Sequence, residues 1–271
     1  MASQQKRAAE FRRLHKGPKI LVLANCWDAG SARLIESLGA RAMATTSAGV
    51  AWALGYPDGD ALPLDLLVAA VAGMTRVIKV PLTIDMEGGY GKTPKAVGTA
   101  VGKVIDAGAI GMNIEDGGSS PDLLCRKIEQ VKRTAKRKGV DFFVNARTDV
   151  YLRELVPPAK RVAETLVRAK RYRDAGADGL FVPGAAQAAE IRGITAAAGL
   201  PVNLLAWPGL APASELQKLG VRRLSAGSAI SQVAAATALA KAKAFLRDGD
   251  SGLVREGAMT YGELNALVTA R

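Results

Sequence analysis

Short apolar runs and amphipathic stretches take turns along almost the whole chain. The runs at 20–24, 41–45, 80–85, 110–115, 141–146, 179–182, 202–206 and 222–225 have the length and apolar content of buried strands. Helical stretches follow them at 31–38, 64–78, 95–106, 122–138, 159–174, 186–198, 212–219 and 228–247. Several helices pass into the next strand through a glycine, as in L-G-A-R-A-M-A (38–44), A-G-A-I-G-M-N (107–113), A-G-A-D-G-L-F (175–181) and L-G-V-R-R-L (219–224). Glycine at that point supplies the left-handed cap that turns a helix back toward a strand. Buried strands joined by helical crossovers predict an α/β fold with a parallel sheet and helices outside it. Eight such units predict a (β/α)8 TIM barrel. The competing arrangement, an open doubly wound sheet, carries a glycine fingerprint after its first strand, and here that position reads N-C-W-D-A-G-S. The barrel with a basic N-terminal segment is expected over 1–247, and 248–271 reads as a linker and a short C-terminal helix.

Composition narrows the classes. The 271 residues are 49% hydrophobic and only 5% aromatic, enough apolar content for a large core of closely packed elements. Cys26 and Cys125 give neither a disulfide framework nor a zinc spacing, which suits a reduced, cytoplasmic setting. No apolar run reaches the length of a membrane span, and the polar N-terminus lacks the apolar centre of a signal peptide. A net charge of +12 raises the question of nucleic acid, but the basic residues are dispersed. Their densest run, 127–138, reads as a solvated helix face without interleaved aromatics. Attraction of small anions is the better reading of that charge.

In a barrel of this kind the chemistry sits at the C-terminal ends of the strands, and those ends are polar here. The stretch V-P-L-T-I-D-M-E-G-G-Y-G (80–91) stops at Asp85 and Glu87, two residues apart on extended chain and so able to face one ligand. Like charges that close need a cation or a proton between them. With Glu115 they form an oxygen donor set suited to Mg²⁺ or Mn²⁺; the alternative is capping or pairing with a barrel lysine. Arg147 can clamp a carboxylate or phosphonate, or pair structurally with Glu115 or Asp149. Asp116 and Asp149 read as supporting or capping residues. Ser47, Ala48 and Gly49 offer a hydroxyl and backbone N–H groups in a small-residue turn, and Asn203 ends a later strand. His15, the only histidine, lies in the basic N-terminal segment, which argues against a Ser-His-Asp triad.

Taken together, N-C-W-D-A-G-S-A-R (25–33), A-T-T-S-A-G-V-A-W-A-L-G-Y-P-D-G (44–59), D-M-E-G-G-Y-G (85–91), G-M-N-I-E-D (111–116), N-A-R-T-D (145–149), P-V-N-L-L-A (201–206) and L-G-V-R-R-L-S-A-G (219–227) resemble the isocitrate lyase/phosphoenolpyruvate mutase superfamily over about 19–229. The resemblance implies a (β/α)8 barrel, commonly tetrameric, with its last barrel helix exchanged between subunits. It implies Mg²⁺ and a small carboxylate or phosphonate substrate whose C–C or P–C bond is made or broken through an enolate. By the same resemblance Asp85, Glu87 and Glu115 hold the metal, and Asp58 lies near its waters. Trp27, Ser47, Ala48 and Gly49 surround the substrate, with Arg147 paired to it. Lyases of the superfamily carry K-K/R-C-G-H on a mobile loop, whereas this chain reads E-D-G-G-S-S-P-D-L-L-C-R-K there. Without that acid, the expected proton source is water, Tyr90 or another group, unless the substrate needs no strong acid. The leading expectation is a Mg²⁺-dependent C–C lyase acting on a 2-oxo or 2-hydroxy acid. A phosphonomutase or P–C hydrolase comes second, and a barrel that binds a metabolite without turnover third.

Overall fold

A computed structural model describes residues 2–269; Met1, Ala270 and Arg271, at the ends of the two expected spans, lie outside the described residues. Nine strand segments appear in chain order: β1 (Leu21–Leu23), β2 (Asn25–Cys26), β3 (Met43–Thr45), β4 (Leu82–Asp85), β5 (Gly111–Glu115), β6 (Phe143–Arg147), β7 (Gly179–Phe181), β8 (Val202–Leu205) and β9 (Arg223–Ser225). All pair in parallel, in the order β1-β9-β8-β7-β6-β5-β4-β3-β2. β1 and β2 are separated only by Ala24 and are two halves of one barrel strand. The first half pairs with β9 and the second with β3, so the sheet closes on itself. This is a TIM-type barrel and not an open sheet.

The crossovers are α2 (Ala29–Ser37), α4 (Leu64–Val77), α5 (Pro94–Asp106), α6 (Pro121–Lys138), α7 (Arg161–Asp174), α8 (Ala188–Ala197) and α9 (Ala213–Lys218), with α3 (Ser47–Ala53) inserted after β3. α6 shows how the pattern works locally. Ser120 caps its start, Pro121 opens its first turn, and Leu124, Ile128, Val131 and Ala135 lie along its buried stripe. It ends at Gly139, whose φ of +68° is the left-handed cap predicted for such junctions. One expectation fails on this helix: Lys127, the first residue of the supposed solvated run, is only 8% exposed. It falls on the edge of the apolar stripe, one residue before Ile128, and turns inward.

The N-terminal segment is also more than a basic tail. α1 (Ala2–Lys16) places Ala8, Phe11, Leu14 and His15 on one buried face. Phe11 meets the Phe143 ring edge-on at 5.3 Å, and His15 stacks on Phe143 at 4.3 Å. Phe143 begins β6, so α1 covers the N-terminal end of the barrel. Arg12 anchors the helix to Asp141 and Asp178 at 2.6 and 2.9 Å. His15 Nδ1 donates to the Phe11 carbonyl at 2.8 Å, and burial lowers its pKa to about 3, which keeps it neutral. It is a structural residue.

Beyond the barrel, α10 (Ala229–Asp248) buries only Ser231, while Val233, Leu239 and Leu246 are well exposed. α11 (Ser251–Arg255) and α12 (Tyr261–Thr269) follow, and Arg33 of α2 holds the Leu267 carbonyl at 3.0 Å. If α1 closes the barrel, Phe11→Ala removes a fully buried ring and should cost about 3–5 kcal/mol. Urea unfolding would show it as a lower midpoint; a change below about 1 kcal/mol would mean that the helix is merely adjacent.

Candidate active site

Register determines which side chains share the barrel mouth. Asp85 pairs with Asn113, and Glu115 pairs with Arg147; Asp85, Glu115 and Arg147 end three successive strands. The Asp85 N–H donates to Thr45 Oγ1 of β3 at 2.8 Å, and its carboxylate accepts from the Glu87 N–H at 3.1 Å. Glu87 has φ +48°, an uncommon left-handed conformation for a side-chain-bearing residue. Bonds to β5 hold it there: Met86 N–H to the Asn113 carbonyl at 3.2 Å and Glu115 N–H to the Glu87 carbonyl at 2.9 Å. Gly89 then turns at φ +100°, where a Cβ would come within 2.9 Å of Val97. Tyr90 sets its hydroxyl 3.5 Å from Glu87 Oε1, and the Asp60 N–H donates to the other oxygen of Glu87.

Charge crowding dominates this rim. Burial, reinforced by Asp58, Asp60 and Asp85, pushes Glu87 up to about 7. Burial pushes Glu115 up to about 8 despite the opposing charge of Arg147. Asp85 is raised by burial too, with Arg147 and a bond to Asn113 acting against the shift. Among the described residues no three of these groups already converge as a metal cage. The reason is visible in the bonding: Glu115 is turned onto Arg147 and Glu87 onto the Asp60 N–H. An all-oxygen, under-compensated donor set of this kind fits a hard divalent cation that keeps several waters.

Both readings of Arg147 as a structural partner hold at once. Its Nη1 lies 2.7 Å from Glu115 Oε2, and its Nε donates to Asp149 Oδ1 at 2.7 Å. The carboxylates hold the guanidinium above its ordinary pKa although burial works the other way. Asp149 is fully buried, and its N–H donates to Asp116 Oδ1 at 2.9 Å. Asp116 Oδ2 in turn accepts from Arg168 at 2.8 Å and from the Tyr172 hydroxyl at 2.5 Å, both on α7. The aim of Arg147 is thus set by a chain that reaches the outer helices.

Other candidates occupy neighbouring positions. Ser47, Ala48 and Gly49 form the first turn of α3 and not a loose turn. Thr46 caps that helix, accepting from the Gly49 N–H at 3.4 Å. A Cβ on Gly49 would meet Thr46 at 2.6 Å and Trp27 at 3.0 Å, which ties Trp27 to the same corner. Asn203 is 1% exposed and donates to Ser225 Oγ at 3.3 Å, inside the barrel below the rim. Around it lies a polar interior: Asn145 donates to Asn113 Oδ1 at 2.9 Å, and Arg223 Nη2 lies 3.4 Å from the same oxygen. Arg223 is 1% exposed, and its Nε and Nη1 find no protein partner among the described residues. Burial lowers its pKa to about 9, with Asp85 as the opposing charge. Two-residue alternation back from Ser225 is the sequence signal that Arg223 points inward.

A cleft of about 610 Å³ opens beside Glu115 and Tyr90, lined also by Asp60, Lys92, Ser119, Lys127 and Arg153. Lys127 enters it from α6 with its Nζ donating to the Gly88 carbonyl at 2.6 Å. Asp60, Lys127 and Arg153 carry no motif and become legible only once the loops are placed.

The pattern of the family described as Phosphoenolpyruvate phosphomutase matches residues 11–246. The chain belongs to the phosphoenolpyruvate mutase/isocitrate lyase superfamily. An uncharacterised protein of Mycobacterium tuberculosis (strain ATCC 25618 / H37Rv) is 36% identical to it over 94% of this chain and 95% of its own. An oxaloacetate decarboxylase of Paraburkholderia xenovorans (strain LB400) is 31% identical over 76% and 71%. A crystal structure from Burkholderia cenocepacia J2315, provisionally described as a phosphonomutase, is 40% identical with a TM-score of 0.84, covering 88% of this chain and 99% of that one. The superfamily comprises lyases and mutases that act on small carboxylates. Among the described residues no helix is long and apolar enough to cross a membrane.

Raised carboxylates have a stability consequence with a definite sign. In the folded, metal-free protein Glu87 and Glu115 keep protons that the unfolded chain has already lost above its ordinary carboxylate range. Stability of metal-free protein should therefore fall as pH rises from about 6.5 to about 8; buried His15, which ordinarily titrates at 6.5, opposes the trend at the lower edge of that window but is outweighed by the two carboxyls. Thermal unfolding of chelator-treated protein across that window checks it; a flat or rising melting temperature would contradict the assignment.

Proposed function

We propose that this chain is a Mg²⁺-dependent lyase, with Mn²⁺ as a substitute, that cleaves a C–C bond of a small 2-oxo or 2-hydroxy carboxylate through an enolpyruvate-type intermediate. The observation that carries this reading is the crowding of Asp85, Glu87 and Glu115, all with raised pKa, at one barrel mouth where Arg147 pairs with Glu115. Asp85, Glu87 and Glu115 would hold the cation, with Asp58 beside them; when bound, it supplies positive charge where negative charge develops on the substrate oxygen.

The rest of the chemistry falls to the chain's own groups. Arg147 donates two of its five N–H groups to Asp149 and ion-pairs with Glu115, which leaves donor capacity on its guanidinium for a substrate oxygen. The open N–H groups of Ser47 and Ala48 at the start of α3, with Gly49 and Trp27 behind them, suit the head carboxylate of the substrate. Asn203 supports the floor of that pocket through Ser225. No K-K/R-C-G-H acid is present, and burial raises the thiol of Cys125 on α6. Tyr90 is the better proton carrier: burial and the charge of Glu87 keep its hydroxyl protonated next to the rim. A decarboxylation or retro-aldol step that leaves a carbanion needs one such proton.

A phosphonomutase or P–C hydrolase is the second reading, favoured by the likeness to the Burkholderia structure. A panel of oxaloacetate, 2-alkylmalates, methylisocitrate and phosphonopyruvate with Mg²⁺ separates the readings. Pyruvate or another enol-derived acid from a carbon substrate is the expected result. Turnover of phosphonopyruvate alone would favour the second reading, and turnover of none a metabolite-binding barrel. Asp85→Ala should lower both metal affinity and activity by more than ~100-fold.

We further propose a homo-oligomer, a tetramer by the superfamily resemblance, in which α10 of the 1–247 barrel is exchanged between subunits and 248–271 extends it. Support comes from the bare apolar side of α10 and from Val22, 57% exposed on β1, where a barrel strand lacks a covering helix. The two free cysteines suit a reducing cytoplasm. Light scattering after size exclusion should give a multiple of 28.2 kDa. Leu239→Glu with Leu246→Glu should shift it toward the monomer, and a wild-type monomer would refute the exchange.

A further inference from the structure

We propose that Arg153 determines substrate specificity by binding a second anionic group of the substrate, a carboxylate set beyond the 2-oxo acid head. The inference rests on the functional reading above and names the substrate class of that site. Arg147, the cation expected to receive substrate, already engages two protein carboxylates, so a second negative group needs another partner. Arg153 stands one turn further along the chain and shares Asp149 with Arg147, but only through its Nε, at 2.9 Å. Its N–H also donates to the Asp149 carbonyl at 2.9 Å, which fixes the backbone that carries it. Asp149 is its sole ion-pair partner among the described residues, so the outer fork of the guanidinium is free to bind.

That fork is in the right place. A Cβ on Gly117 would lie 3.8 Å from Arg153 Nη2 and 3.8 Å from Glu115 Oε1, so the guanidinium and the rim carboxylate both flank a residue with no side chain. Gly117 itself has φ +51°, a conformation costly for most other residues. Arg153 lines the cleft with its side chain 54% exposed, accessible to an entering ligand yet pinned at one end. Lys127, held on the Gly88 carbonyl, adds a second positive charge to the same cleft. A guanidinium fork matches a carboxylate bidentately. The cleft of about 610 Å³ adjoins the rim through Glu115, and the residues assigned to the head group lie outside its lining, so it offers separate space for such an extension.

Calorimetric titration with two ligands in Mg²⁺ tests the assignment. Oxalate presents only the head-group oxygens, whereas 3,3-difluorooxaloacetate adds a distal carboxylate. Arg153→Met should weaken difluorooxaloacetate by ~10- to 100-fold and leave oxalate within about twofold, with Arg153→Lys recovering part of the loss. Unchanged difluorooxaloacetate affinity in Arg153→Met, or parallel weakening of both ligands, would overturn the role of Arg153 while leaving the lyase reading intact. A wild-type protein that binds neither ligand would overturn both.

Discussion

Three carboxylates at the ends of two neighbouring strands cannot all remain charged beside one another without positive charge close by. That constraint organises the mouth of this barrel. Asp85, Glu87 and Glu115 are raised by burial, and Asp85 adds to the shift of the other two; Arg147 compensates Asp85 and Glu115 only in part. The cost of burying Arg147 is offset by Asp149, whose backbone N–H is held by Asp116, which in turn is held by Arg168 and Tyr172. Buried ion networks of this kind add little net stability, because desolvation consumes most of the Coulomb gain. What the network does secure is direction, since each guanidinium or carboxylate has its angle set by the next.

The same constraint explains why a barrel suits the site. Parallel pairing in strict register brings Asp85, Glu115 and Arg147 to one rim, although they are far apart in the chain. Two-residue alternation then lines the space beneath them with Asn113, Asn145, Asn203, Ser225 and Arg223. Arg223 approaches Asn113 from below, and its charge opposes that of Asp85. Phe11, His15 and Phe143 seal the opposite end. The interior therefore grades from an aromatic plug to a polar middle and then to an anionic rim.

Much of this architecture is legible in the order of the amino acids. Period and punctuation reveal all eight βα units, because buried strands and glycine caps leave strong local marks. Asp85, Glu87, Glu115 and Arg147 stand out because polar residues closing apolar strands are costly without a purpose. What the residue pattern hides depends on packing between distant segments. α1 reads as a basic tail because its apolar stripe of Ala8, Phe11, Leu14 and His15 is thin among charges. Lys127 belongs by pattern to a solvated face, yet its position along α6 turns it into the cleft. Arg153 carries no motif at all; its importance comes from a turn that sets it over Gly117. The arrest of Glu115 on Arg147, which keeps the carboxylates from forming a ready-made cage, likewise depends on side-chain geometry alone.

Under the proposed function these carboxylates are short of positive charge and receive it from a divalent cation. Mn²⁺ titration by calorimetry at neutral pH, repeated in buffers of different ionisation enthalpy, measures the protons released on binding. With Glu87 raised to about 7 and Glu115 to about 8, roughly one to two protons should leave per ion bound. Binding with no proton release, or no binding at all, would contradict the account.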